Sequence, residues 1–311
     1  MKLLLRPIFL LFSVVLFNSC QKETPVPDID KTYYVPVADG GLSKNITLPV
    51  NTTTLNGSGT SKNGPIVGYL WSLVSGPNVP VIQSPGSATT IINGFSAGNY
   101  IFQLMVIDSL GYTGVDTAWV RVAAPVQVTL TQQPTNNQSE LNFAVIGSSD
   151  VSAHDIDLDA NAWTSGGTPF YIRGAFKFDL TTIPVNATII SAKLSLYSIP
   201  LPINGDRVNA NTGADNSFYI RRNSTTWSQT STWQTQPGAD VANQLLIPHT
   251  NQRFLDLVDV EVKNMVASML TNGNYGFQIN LQNETIYTAR QFCSSKYSDA
   301  AKHPKLVVVY Q

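Results

Sequence analysis

The chain has 311 residues, a formal net charge of -1 and only 13% charged residues. A nucleic-acid-binding protein carries a basic excess or stripe to meet phosphates, and no such stripe is present. Asn, Thr, Ser, Gly and Pro fill the polar positions between short Val/Ile/Thr/Tyr/Phe runs, the texture of all-β secreted material, with room for one large or two ordinary domains.

The N-terminus comes first. Lys2 is followed by a largely apolar run from Leu3 to Phe17, which ends in Leu16-Phe17-Asn18-Ser19-Cys20. A charged start and an apolar stretch too short to span a bilayer have the shape of a secretory signal. The segment resembles a bacterial lipobox, which implies that residues 1–19 are a signal peptide and that Cys20 receives lipid. Acyl chains there would supply about 0.8 kcal/mol per buried methylene, enough in combination to anchor the protein. Residue 21 is Gln, and Cys20-Gln21-Lys22-Glu23 is similar to the surface-export signals of Bacteroidetes lipoproteins. The expected location is therefore the outer membrane, lipid-anchored and surface-exposed. Residues 20–36 are polar, proline-bearing and without period, and read as a tether.

Between residues 37 and 123, strand-like runs recur at sandwich spacing with turn signals Asn56-Gly57, Asn63-Gly64, Asn93-Gly94 and Leu110-Gly111 between them. Leu55-Asn56-Gly57-Ser58-Gly59, Gly68-Tyr69-Leu70-Trp71 with Ser75-Gly76-Pro77, and Gly98-Asn99-Tyr100 through Asp108 together resemble a PKD domain. Trp71 is followed by Ser-Leu-Val where the best-known PKD pattern has Asp-Phe-Gly-Asp-Gly, so the resemblance implies an Ig-like fold and no particular ligand. Trp71 is expected in the core and Asp108 as a turn former.

After Ala123-Ala124-Pro125 the texture changes. At least eight segments of residues 126–311 alternate apolar and polar positions, interrupted by one helix. Asp259 is placed as its cap, Val262, Met265, Val266 and Met269 as its buried stripe, and Asn272-Gly273 as its stop. Arg173-Gly174-Ala175-Phe176-Lys177-Phe178-Asp179, Ala187 through Tyr197, Thr226-Trp227 with Ser231-Thr232-Trp233, and His303-Pro304-Lys305 through Tyr310 resemble, in order, the blocks of DNRLRE domains. These are similar to carbohydrate-binding module family 96, and the resemblance implies a jelly-roll-like β-sandwich that binds acidic or neutral polysaccharide. The fold class expected for the whole chain is all-β: an Ig-like (PKD) β-sandwich, then a jelly-roll-like β-sandwich with one short helix.

Catalytic constellations are missing from the sequence: it holds no HExxH, phosphate loop or CxxC pair, and its GxSxG match, Gly94-Phe95-Ser96-Ala97-Gly98, lies among the strand-like runs of the first domain and not between a strand and a helix. His154, His249 and His303 lie far apart without metal-ligand spacing, and His303 is expected in an exposed loop. With Cys20 consumed by lipid, Cys293 has no intramolecular partner and reads as a small buried hydrophobe. No enzymatic activity is expected.

Binding of sugars calls for planar aromatics, and binding of uronate or sulfate charges for Arg or Lys. The glycan-binding candidates are Trp163, Tyr171, Arg173, Lys177, Tyr219, Arg222 and Arg290. Arg221 and Arg222 are adjacent on a strand and point to opposite faces, whereas Tyr171, Arg173 and Lys177 share parity. Trp227 and Trp233 are expected to anchor a long loop. Asp150, Asp155, Asp157 and Asp159 crowd one segment, where strand alternation puts the last three on one face. That face is either a solvated edge that blocks aggregation or a structural Ca2+ site.

The function expected is a cell-surface lipoprotein that captures extracellular polysaccharide without chemistry, its PKD domain a spacer and a glycan importer or enzyme its partner. An adhesin binding protein or matrix is the alternative, and a polysaccharide-degrading enzyme a third.

Overall fold

The computed structural model describes residues 34–134 and 139–311. The expected signal peptide, Cys20 and the expected tether up to residue 33 lie outside the described residues. Among the described residues no helix is long and apolar enough to cross a membrane.

The first domain is built from β1 (Val37–Asp39), β2 (Lys44–Thr47), β3 (Thr52–Asn56), β4 (Ser58–Thr60), β5 (Ile66–Ser75), β6 (Val81–Ile82), β7 (Thr89–Asn93), β8 (Gly98–Asp108) and β9 (Thr113–Ala123). They form a four-stranded sheet ordered β2-β9-β8-β5, a three-stranded sheet β3-β7-β6 and the pair β1-β4. Strand alternation sets the core: Tyr100, Phe102, Leu104 and Val106, every second residue of β8, are fully buried against Leu55 and Ile92 of the facing sheet. Trp71 fills the space between them at 2% exposure, and its indole N-H donates to the Ala88 carbonyl at 3.2 Å. Asp108 closes the β8–β9 turn as expected, accepting from the amides of Leu110 (3.0 Å) and Tyr112 (2.9 Å) and from the side chains of Ser61 and Asn63. Burial opposes its ionisation, but these hydrogen bonds prevail and hold its carboxyl below the usual range.

The second domain follows after only Ala124 and Pro125. Its elements are β10 (Val126–Thr131), β11 (Glu140–Ile146), β12 (Ser149–Asp150), β13 (Asp157–Ser165), β14 (Thr168–Phe176), β15 (Ile189–Leu196), β16 (Asn211–Thr212), β17 (Phe218–Asn223), β18 (Ala239–Ile247), β19 (Leu257–Glu261), α1 (Lys263–Asn272), β20 (Phe277–Leu281), β21 (Thr288–Cys293) and β22 (Lys305–Tyr310). One sheet runs β10-β22-β15-β19. The other runs β16-β21-β13-β14-β20-β17-β18, with β11 and β12 joined to it through β14.

β14 is the strand on which the larger sheet divides. β11 pairs with it from Phe170 to Phe176, while β13 pairs with Thr168–Arg173 and β20 with Gly174–Phe176. One edge is thus shared between two partners, and the handover falls at Gly174. A Cβ there would stand 2.8 Å from Leu158 Cδ1 and 3.0 Å from the Asp159 carbonyl, so the missing side chain lets β13 cross close above β14.

The core lies between the two sheets. Leu158, Ala160, Phe277, Ile279 and Phe292 of the larger sheet meet Leu194, Leu306 and Val308 of the smaller one, and Met265, Val266 and Met269 of α1 close one end. The helix stops at Gly273, whose positive φ of 93° suits a C-terminal glycine. Its start differs from expectation. Asp259 is in β19 with φ 56°, and the N-cap is Val262. Glu261 stands in, its carboxylate accepting from the Lys263 amide at 3.1 Å and the Ala192 amide at 2.9 Å.

Candidate functional site

One face of the larger sheet gathers charge and aromatic surface. Arg173 on β14 donates to Glu284 through Nε at 2.7 Å and Nη2 at 3.0 Å, a two-pronged pair, and to Gln236 at 3.3 Å. Its guanidinium carbon sits 4.5 Å from the Trp233 ring centroid, and Tyr171 lies 6.4 Å from the same ring. Two strands away, Arg221 stacks over Tyr219 at 4.3 Å and donates to Gln244 (2.8 Å) and Asn280 (3.1 Å). Burial draws the Arg221 pKa down, with the like charge of Arg173 assisting and the carboxylate of Glu284 opposing. The rings and guanidinium groups are half-buried, each with one side still in contact with solvent.

The loop between β17 and β18 supplies Trp233 and Gln236. Trp227 nails that loop down: its ring is 6% exposed, meets Phe143 edge-on at 6.0 Å, and donates to the Tyr275 carbonyl at 2.8 Å. The Trp233 amide donates to Asp150, and Gln236 Nε2 donates back to the Trp233 carbonyl at 2.7 Å. Trp233 therefore both anchors the loop and presents a face to Arg173.

Of the residues singled out in the sequence, Tyr171, Arg173 and Tyr219 belong to this face, and Lys177 stands at its end with its ammonium 5.7 Å from Trp227. Trp163 is elsewhere, packed edge-on against Tyr287 at 5.1 Å and lining a cavity of about 320 Å3 with Phe170, Ile172, Asn204 and Arg207. Two candidates are corrected. Arg222 is 8% exposed and holds Asp240 across to β18 at 3.2 Å, so its guanidinium is spent inside the domain. Arg290 is wholly buried on the Phe292 side of β21, 4.9 Å from the Phe218 ring, and donates to the Pro248 carbonyl at 3.2 Å. Burial lowers its pKa to about 10. Neither can meet a ligand in solution. Sequence reasoning chose Arg222 over Arg221, although Tyr219 and Arg221, two residues apart on one strand, carried the parity signal.

The four aspartates do not form one site. Asp150 accepts from Trp233 and Ser152. Asp157 and Asp159 are 1% and 0% exposed, which overturns the solvated-edge alternative for them. Among the described residues no three His, Cys, Asp or Glu side chains come together as a metal site. His303, expected in an exposed loop, is buried, its ring nitrogens 3.0 Å and 2.8 Å from the carbonyl oxygens of Gln132 and Tyr297. Cys293 is buried as expected.

Among the described residues, Glu140, His154 and Ser295 form a grouping with the residue types of a nucleophilic triad. His154 Nε2 lies 3.1 Å from Glu140 Oε2, and the Ser295 amide and hydroxyl both donate to that same oxygen. A relay needs the imidazole between hydroxyl and carboxylate. Here both address the carboxylate, whose task is to tie β11 to the segment after β21.

Comparison with known proteins divides the chain the same way. Residues 40–122 match the model of the K319L-like PKD domain, and residues 160–310 that of carbohydrate-binding module family 96. Similar proteins include the mouse dyslexia-associated protein KIAA0319-like protein, 38% identical over 73 residues, which are 24% of this chain and 7% of that protein. The human dyslexia-associated protein KIAA0319 is 36% identical over 87 residues, 28% of this chain and 8% of its own length. The chain thus spans less than a tenth of these curated relatives. Among solved structures, the PKD domain from KIAA 1837 protein is 32% identical over 30% of this chain and 92% of its own, with a TM-score of 0.27. The Bacteroides ovatus mixed-linkage glucan utilization locus protein SGBP-B, solved with a heptasaccharide, is 9% identical over 89% of this chain and 100% of its own, at a TM-score of 0.19. The chain joins a PKD domain to a carbohydrate-binding-module-like β-sandwich, and both matched domains are of non-catalytic kinds.

Proposed function

We propose that the second domain captures an acidic extracellular polysaccharide without catalysis, on the face built by Tyr171, Arg173, Tyr219, Arg221 and Trp233. The observation that carries this reading is the stacking of two guanidinium groups on two aromatic rings on either side of β20, Arg173 of β14 on Trp233 and Arg221 of β17 on Tyr219. Sugar rings bury apolar C-H surface on such rings, while uronate or sulfate groups accept from the guanidinium edges. The face carries Arg173, Arg221 and Lys177 against Glu284 and Asp150, the latter held by the Trp233 amide, and among the described residues Arg221 makes no ion pair within 4 Å. That imbalance favours an anionic chain. An open platform also suits a polymer, which must enter and leave along its length. The match of residues 160–310 to a carbohydrate-binding family supports the ligand class.

The remaining assignments complete the proposal. Lipid on Cys20 fixes the protein to the outer membrane, facing outward, residues 20–36 act as tether, and the PKD domain holds the binding face away from the bilayer. Captured polymer is then presented to a neighbouring importer or enzyme.

Affinity electrophoresis of the purified protein through gels holding alginate, pectin or a neutral glucan tests the ligand and the face together. The acidic gels should retard the protein. Arg221→Ala should weaken retention roughly 10- to 150-fold, the equivalent of one charge-assisted hydrogen bond of about 1.5–3 kcal/mol. Trp163→Ala should leave it unchanged. Retention by no polysaccharide overturns the reading, loss confined to Trp163→Ala moves the site to the cavity, and release of unsaturated uronates refutes the absence of catalysis.

A further inference from the structure

Asp157 and Asp159 stand on the outer side of β13, two residues apart and both buried. No lysine, arginine or histidine pairs with either of them among the described residues. Two carboxylates withdrawn from water without a counter-charge are costly to keep ionised. Everything that meets them is neutral. Asn204 Nδ2 donates to Asp157 at 3.3 Å and to Asp159 at 2.9 Å, the Ile203 amide donates to Asp157 at 3.1 Å, and Gln291 Nε2 donates to Asp159 at 3.2 Å and to the Asn204 carbonyl. Asp155 adds further negative charge from nearby.

The second observation is independent of the carboxylates. Asn161, the next outward residue of β13, is wholly buried, and neither atom of its amide has a partner; Gln291 Oε1, also wholly buried, has none either. Both point to the same place. A Cβ on Gly205, the residue after Asn204, would lie 3.1 Å from Asn161 Nδ2 and 3.6 Å from Gln291 Oε1. Gln291 is the cross-strand partner of Asp159. Two carboxylates, the orphaned Asn161 amide and the orphaned Gln291 carbonyl oxygen thus converge beneath one loop.

We propose that Asp157, Asp159, Asn161, Gln291 and Asn204 form a site for a hard divalent cation of the calcium type. A half-turn of the Asn204 and Gln291 amides exchanges nitrogen for oxygen, so the side chains that now donate to the carboxylates become oxygen ligands, and Asn161 adds an amide oxygen that has no other partner. All donors are then carboxylate or amide oxygens, with no thiolate or imidazole, which selects Ca2+ over zinc or copper. The site uses two of the four aspartates that the sequence brought to notice and replaces the other two with amides. Ile203, Asn204, Gly205 and Arg207 also line the cavity beside Trp163, so the cation ties down one wall of that cavity. The assignment does not depend on polysaccharide binding.

The test uses the purified protein, the metal alone and two probes. Trp163 Cε3 would lie 3.5 Å from the same Gly205 Cβ, close enough for the indole to sensitise terbium emission. Terbium added to chelator-treated protein should luminesce on excitation of tryptophan and be displaced by Ca2+, and the second thermal transition should fall on chelation and recover with Ca2+. Asp157→Asn/Asp159→Asn, which keeps shape and removes both charges, should lose the emission and the calcium response. Asn161→Asp, with a third carboxylate, should bind terbium more tightly, and it keeps the proposal testable if the double variant does not fold. Wild-type protein indifferent to chelator, Ca2+ and terbium overturns the proposal. So does a calcium response that survives the double variant.

Discussion

Gly174→Ala tests whether the division of the larger sheet depends on a missing side chain. The new Cβ would stand 2.8 Å from Leu158 Cδ1, 3.1 Å from Leu158 Cγ and 3.0 Å from the Asp159 carbonyl oxygen. Ordinary contacts of this kind begin near 3.4 Å. The Leu158 terminus can swing aside, but it is 1% exposed in a filled core, and the Asp159 carbonyl is backbone held in the β13 ladder. Overpacking of this sort costs about 1–3 kcal/mol, and the stiffer unfolded chain returns about 0.4–1 kcal/mol, because Gly174 does not need a positive φ. The balance is a loss of about 1–2 kcal/mol. For a domain of this size each kcal/mol moves the midpoint by about 2–4 °C, so calorimetry should show the second-domain transition about 2–8 °C lower and the PKD transition unmoved. An unchanged or raised midpoint would show that β13 does not need the gap. Parallel shifts of both transitions would mean that the domains melt as one unit.

Three further outcomes are expected. Glu284→Gln removes the carboxylate that neutralises Arg173. Since both side chains are part-exposed, at 24% and 31%, stability should change by no more than about 1 kcal/mol, while affinity for an acidic polysaccharide rises several-fold in affinity electrophoresis. Weaker retention would place Glu284 in contact with the sugar. Cys293 is fully buried, and burial pushes its thiol pKa up to about 12, so native protein at pH 8 should resist iodoacetamide and react fully once denatured, as read by mass. Rapid labelling of the native protein would contradict that packing. Trp71→Ala should cost the PKD domain about 3–5 kcal/mol, enough to abolish or lower its transition by more than about 10 °C, yet leave polysaccharide retention intact; joint loss would refute the separation of spacer from binding module.

Wherever one period decided the matter, the structure could be read from the sequence. β8 alternates so strictly that its buried residues follow from parity, and the Met265, Val266 and Met269 stripe with Gly273 marks α1 and its end. The same logic put Tyr171 and Arg173 together on β14. It could not say what covers them. Trp233 and Glu284 lie 60 and 111 residues further along the chain and arrive on loops, whose paths no local pattern encodes. Burial of the wrong type of residue was equally hidden. Arg290, in the middle of β21, and His303, just before β22, are of residue types that ordinarily face water, and only the packing of distant segments encloses them. The Asp157-Asp159 pair shows both sides of this: alternation placed the two on one face, but the loop carrying Asn204 turns that face from solvent into interior.

β22 lies between β10 and β15, pairing along six residues with the first, and it contributes the fully buried Leu306 and Val308. It follows in sequence every strand of the domain that it completes. A chain supplied N-terminus first can therefore close its PKD domain from residues 37–123 before the second domain is available. The second sandwich must wait, its smaller sheet split down the middle, until residues 305–310 arrive. Only then is the inner side of the larger sheet covered along its length, so the two domains differ in how much of the chain each needs before it can close.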